Sequence, residues 1–193
     1  MRNLLFASLA LALAACGDPL FFAEVEEKKI CFELPSVSVQ GTGSLPDVIQ
    51  QQIGSKTVST PDGEALDFGS QVPALDKQKA TTGSIKLISF EVTSSTDALQ
   101  HIEAAELDVA DANGQLVPFM HYERPAQSEC VAGQATCTIT MTIPDGDLLR
   151  PILANAGHLP YKLSLTGTPP QDDWTVKVDT CMSAKIMVDA LKL

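Results

Sequence analysis

The chain is short of cationic side chains. It has 13 Lys+Arg against 24 Asp+Glu over 193 residues, a formal net charge of −11. A nucleic-acid surface needs clustered Lys and Arg to neutralise phosphates, so the balance argues against a nucleic-acid partner. Aromatic residues are 5% and charged residues 19% of the chain, while 45% is apolar. So low a charged fraction argues against wholesale disorder. The length suits one domain able to bury a core. The apolar run Leu4–Ala12 is too short to span a bilayer, which takes about 20 residues.

Motifs for chemistry are also missing. There is no Gly-x-Ser-x-Gly elbow, and Gly41-Thr42-Gly43-Ser44 lacks the Lys-Ser/Thr ending of a phosphate-binding loop. No Cys-x-x-Cys pair occurs, and His101, His121 and His158 are scattered, so a metal site is not expected. Each histidine reads as a surface or turn residue. Asp111-Ala112-Asn113-Gly114 mimics the centre of a calcium loop, but the first and last ligand positions would be Val109 and Met120. A hairpin turn is the better reading. The acidic pairs Asp145/Asp147 and Asp172/Asp173 read as turn-forming and capping residues. Paired carboxylates for glycoside chemistry are spatial rather than sequential, and nothing marks them. No catalytic residue, no metal and no cofactor is expected, and the chain reads as a non-enzyme.

What is present begins at the N-terminus. Met1-Arg2-Asn3 gives a positive start, Leu4–Ala12 an apolar stretch, and small residues then lead to Cys16. This is the plan of a secretory signal. Leu13-Ala14-Ala15-Cys16 resembles the lipobox of bacterial lipoproteins. The resemblance implies cleavage before Cys16, a diacylglycerol on its thiol and an acyl group on its new amine. Each buried methylene is worth about 0.8 kcal/mol, and several chains make a stable anchor. The resemblance also implies an envelope address. Gly17, in place of Asp after the anchor cysteine, leans towards the outer membrane. The expected organisation is a signal peptide over 1–15, a lipidated tether over 16–29 and a folded domain over 30–193.

Four cysteines remain, an even number in an exported chain, which is the pattern of two disulfides. Four cysteines allow three connectivities. Cys130 and Cys137 enclose Gly133 in a stretch suited to a closed hairpin loop. Cys31 and Cys181 then pair. Ile30, Phe32 and Leu34 form the apolar phase of one strand, and Val176, Val178, Met182, Ala184 and Ile186 that of another. Both cysteines therefore point away from the core and can meet on neighbouring strands.

A period of two dominates the rest. Strands are expected over 30–40, broken at Pro35, over 84–94 with Ile88, Phe90 and Val92 on one face, and over 103–111. Asn113-Gly114 signals a tight turn. The return strand carries Pro118 and so belongs at a sheet edge. Ile139, Met141 and Ile143 alternate with Thr138, Thr140 and Thr142, and further strands are expected from Tyr161 and over 174–188. Short helices are expected over 46–53 and 148–155, the latter stopped by Gly157. Residues 55–83 read as a long loop with one strand near Leu66-Asp67-Phe68. Together these predict an all-β protein, an antiparallel immunoglobulin-like β-sandwich of seven to eight strands with one or two short helices.

The stretches Leu148-Leu149-Arg150-Pro151-Ile152-Leu153, Tyr161–Gly167 and Pro169-Pro170-Gln171-Asp172-Asp173 resemble a pattern in β-sandwich envelope lipoproteins of myxobacteria. That resemblance implies a fold and an envelope address but no reaction. The expected partners are the membrane, through the lipid anchor, and other envelope proteins of a surface machine, for example in gliding motility, secretion or adhesion. The alternative is a periplasmic module that holds a lipid or small apolar ligand between its sheets.

Overall fold

The structure is a computed structural model that describes residues 22–43, 54–73, 75, 81–94, 101–124 and 137–189, without the side chains at 22–27, 39, 137, 138, 140, 174 and 189. Among these residues the elements are β1 (Phe22–Val39), β2 (Lys56–Ser59), β3 (Ala65–Asp67), β4 (Thr81–Ser94) and β5 (Ile102–Ala110), then β6 (Leu116–Glu123), β7 (Cys137–Thr140), helix α1 (Leu149–Ala154), β8 (His158–Gly167) and β9 (Trp174–Asp189). One sheet has the order β1-β9-β4-β7. The other has the order β2-β8-β5-β6, with β3 also paired to β8.

The pairing is nested. β1 pairs β9, β2 pairs β8, β4 pairs β7 and β5 pairs β6, all antiparallel. The chain is thus one long hairpin, rolled up so that β9 also lies against β4 and β8 against β5. This is the jelly-roll form of a β-sandwich. The antiparallel all-β sandwich expected from the sequence is present. Its strand order is not immunoglobulin-like, because that fold pairs the first strand with the second and here the first pairs the last. Periodicity says which face of a strand is buried and leaves its neighbour open.

Alternation builds the core. Ile30 and Leu34 of β1, Ile85 and Phe90 of β4, and Val176, Val178, Met182, Ala184, Ile186 and Val188 of β9 pack in one core with Leu107, Tyr161, Leu163 and Leu165 of the other sheet, all buried. β4 departs from the expected phase. Its register slips between Leu87 and Ser89, so Leu87 is buried while Ile88 is 44% exposed. The extra residue of this bulge turns Ile88 out and returns Phe90 and Val92 to the core.

Other boundaries also differ. β1 starts at Phe22 rather than Ile30 and runs through Pro35, with an irregularity between Leu34 and Val37. An edge strand tolerates a proline, since one side of it makes no ladder bonds. β2 lies in the expected loop 55–83, paired to β8. The expected helix over 46–53 lies outside the described residues. α1 holds Pro151 in its first turn, where backbone N–H groups have no intrahelical partner to lose. It ends through Ala156 (φ 55°) and Gly157 (φ 85°).

Candidate functional site

The rows of residues that cross the four-stranded sheet on its outer face carry its most unusual chemistry. Cys31 and Cys181 are direct partners in the β1–β9 ladder and form a disulfide, with Cα atoms 4.0 Å apart. Ser89 of β4 completes that row. One row further, Glu33, Asp179 and Glu91 stand directly opposite one another on three adjacent strands. All three are exposed. Like charges opposite each other in a sheet are destabilising, and among the described residues no cation is in ion-pair reach of these three. On the other side of the disulfide the row is Lys29, Ser183 and Lys86.

On the outer face of the five-stranded sheet the hydroxyl rows are matched, while Asp108 Oδ1 is buried without a hydrogen-bond partner among the described residues. Thr57 and Thr166 hydroxyls meet at 2.8 Å, as do those of Ser59 and Ser164. Lys162 Nζ donates to Asp62 at 3.1 Å. At its end Glu103 accepts from the hydroxyls of Ser55 and Thr168. β6 is the edge strand predicted from Pro118.

The described residues enclose a small cavity between the sheets. It measures about 10 Å³ and is lined by residues that include Leu34, Phe90, Leu107, Leu159, Tyr161 and Met182. That is room for about one water, whereas ligand sites run from roughly 300 to 1,000 Å³. Tyr161 is 3% exposed. Its hydroxyl has no hydrogen-bond partner among the described residues. Burial first, and then the charge of Glu64, push its pKa up to about 12.

The residues marked by sequence fall mostly into structural roles. Asp111 accepts from the amides of Gln115 and Asn113, which hold its pKa below the ordinary value. It organises the Asn113-Gly114 turn as an Asx motif. Asp147 accepts from Leu149 N at the start of α1 and from Ile85 N of β4. Asp145 pairs with Lys86 at 2.6 Å, which lowers its own pKa and raises that of the lysine. Asp173 accepts from Gly41 N at 2.6 Å. A Cβ on Gly41 would lie 2.3 Å from the backbone of residues 171 and 172, so the Gly-Thr-Gly stretch serves close backbone packing.

The structure does not bring the histidines together into a site. His158 Nδ1 donates to Ala156 O at 3.1 Å and its ring stands 3.9 Å from Asp67, while the exposed His121 lies 3.4 Å from Glu123. Among the described residues no group of three or more His, Cys, Asp or Glu is placed to share a metal ion. Cys16 and Cys130 lie outside the described residues, as does the side chain of Cys137. The acidic row was missed by sequence reasoning. Its members are scattered along the chain, and only the register unites them.

No protein-family model and no curated protein matches the chain. Among solved structures it is similar to that of infectious bursal disease virus Gx strain, with 11% identity and a TM-score of 0.34, covering 85% of this chain and 33% of that one. It thus spans about a third of that viral chain. It is also similar to the structure of Desmodium yellow mottle tymovirus, with 11% identity and a TM-score of 0.28, covering 84% of this chain and 87% of that one. Overlaps this loose carry no argument about activity.

Proposed function

We propose that this chain is a lipid-anchored protein of the bacterial cell envelope, held at the outer membrane, that binds other envelope proteins and catalyses no reaction. The observation that carries the reading is the lipobox-like Leu13-Ala14-Ala15-Cys16 behind a secretory signal. The fold supplies a consequence. Residues 17–21 alone separate Cys16 from β1. At no more than about 3.6 Å per residue, the sandwich sits within roughly 20 Å of its anchor. The small cavity also favours surface recognition over an apolar ligand held inside. A surface machine for gliding motility, secretion or adhesion is the setting the resemblance points to.

Two measurements test this. Intact mass of the protein from membranes is expected to show a chain starting at Cys16 with diacylglyceryl and acyl additions, and Cys16→Ser is expected to leave the membrane fraction. An unlipidated mass with unchanged fractionation overturns the anchor. Affinity capture from detergent-solubilised envelope is expected to recover a defined partner. A protein recovered always alone, or with a stoichiometric lipid inside, overturns the interaction role.

A further inference from the structure

We propose that the outer face of the four-stranded sheet is a self-complementary surface that takes a second copy of this chain. The inference does not depend on the membrane anchor. It starts from the order of the rows. The disulfide row of Cys31, Cys181 and Ser89 lies between the acidic row of Glu33, Asp179 and Glu91 and the row of Lys29, Ser183 and Lys86. Successive outward rows are about 6.8 Å apart, two residues of an antiparallel strand. The acidic and basic rows therefore flank the disulfide row at equal distances.

A two-fold axis lying along the disulfide row turns a second copy face to face with the first. It exchanges the flanking rows and keeps each strand over its own copy. Glu33 then faces Lys29 of the second copy, Glu91 faces Lys86, and Asp179 faces Ser183. The disulfide meets the disulfide. Ile88, the exposed residue of the β4 bulge, meets its equivalent beside it. Such an isologous contact is the commonest way in which identical chains associate. It brings Lys29 to Glu33, and to Glu91 it brings Lys86, which is also held by Asp145 of its own chain, where the described residues of one copy put no cation in ion-pair reach of the acidic row.

The rest of the surface opposes self-association, which makes this face distinctive. The chain carries a net charge of −11. Of its lysines, Lys29, Lys86, Lys177 and Lys185 lie in outward register on this sheet, against Glu27, Glu33, Glu91 and Asp179, and Asp145 pairs with Lys86 beside it. The face is therefore close to neutral, and two copies meet here without long-range repulsion. Lys177 would stand over Lys185 of the second copy at the rim, where water screens the pair, and Lys185 already has a partner in its own chain. The face covers roughly 500 Å² from strand spacing and row count. That is below the usual ~800 Å² per partner, so the dimer is weak and forms where copies are concentrated.

The test is zero-length carbodiimide coupling of a mixture of isotopically heavy and light full chain, read by mass spectrometry. Heavy–light cross-links Glu33–Lys29 and Glu91–Lys86 are expected. Within one copy these pairs are separated by about 14 Å or more along a strand, too far for such a bond. Glu33→Lys is expected to weaken association at least about tenfold by sedimentation, since like charges then oppose each other. Lys29→Glu is expected to do the same, and the double exchange to restore it. A chain that stays monomeric with no such heavy–light link, or a dimer indifferent to Glu33→Lys, overturns the proposal. So does a monomer that uses the lysines of this face to bind phosphatidylglycerol vesicles.

Discussion

On the outside of the five-stranded sheet, facing hydroxyls satisfy one another. Thr57 meets Thr166 and Ser59 meets Ser164, each at 2.8 Å. On the outside of the four-stranded sheet, the register sets Glu33, Asp179 and Glu91 in one row. A disulfide one row away closes a separation of 150 residues. The hydroxyl rows of the first face are matched within the chain, although Asp108 Oδ1 on that face is buried without a hydrogen-bond partner among the described residues. The second places mutual repulsion beside a covalent clamp. A sequence that violates a pairing rule where nothing among the described residues compensates is a sign of a surface used for something else. The contrast is the reason the proposed recognition surface is the four-stranded sheet.

The largest way to break this contrast is to open the clamp. Cys31→Ser with Cys181→Ser is expected to lower stability by about 4–5 kcal/mol in the chain-entropy account of a loop this long. The midpoint of denaturant unfolding reads it, and dithiothreitol, which also opens the expected Cys130–Cys137 bridge, should lower the midpoint of the native chain at least as far. A change below about 1 kcal/mol would mean that the ladder alone holds β1 and that the repulsion next to it costs nothing measurable.

The clamp was legible in the sequence because it follows from phase. Ile30 and Leu34 turn inward, so Cys31 turns outward, and the same logic applies to Cys181 between Thr180 and Met182. Asp111 to Gly114 and Pro118 were legible because a turn and an edge are local matters. The acidic row was not legible. Glu33, Asp179 and Glu91 each look like an ordinary outward residue, and their juxtaposition depends on the β1-β9-β4 order. Ile88 was misplaced because one inserted residue inverts the period of two. β2 was missed because Lys56–Ser59 offers a single apolar side chain, Val58. The early start of β1 was missed because Glu24–Lys29 is a run of charges that reads as a tether.

Two changes on the five-stranded sheet have intermediate effects. Tyr161→Phe removes a buried hydroxyl with no partner among the described residues and is expected to be neutral or to stabilise by about 1 kcal/mol. The same change tests a pH effect. The pKa of Tyr161, pushed up to about 12 from 10.0, means that the folded state keeps a proton that the unfolded state has lost. The associated stability is complete below pH 10 and disappears as pH rises through 12. Tyr161→Phe should flatten that alkaline limb in pH-dependent unfolding, and an unchanged limb would assign it to other groups. Ser164→Ala leaves the Ser59 hydroxyl without its cross-strand partner and is expected to cost about 1 kcal/mol.

The smallest effect is the sharpest for the comparison, because removing an exposed charge is expected to stabilise one face and not the other. Asp179 sits in the middle of the acidic row, opposite both Glu33 and Glu91. Asp179→Asn keeps the shape and removes the central charge. In a dilute monomer it is expected to raise stability by about 0.2–1 kcal/mol, the range for cross-strand pairs. Repulsion between exposed charges is screened by salt, with a Debye length near 3 Å at 1 M. The gain should therefore shrink towards zero as sodium chloride rises from 10 mM to 1 M. An equal removal of charge on the matched face, Asp62→Asn, takes away the partner of Lys162 and should lower stability or leave it unchanged. If both substitutions moved the unfolding midpoint in the same direction, general relief of the −11 net charge would explain the gain, and the two faces would not differ in the way their rows imply.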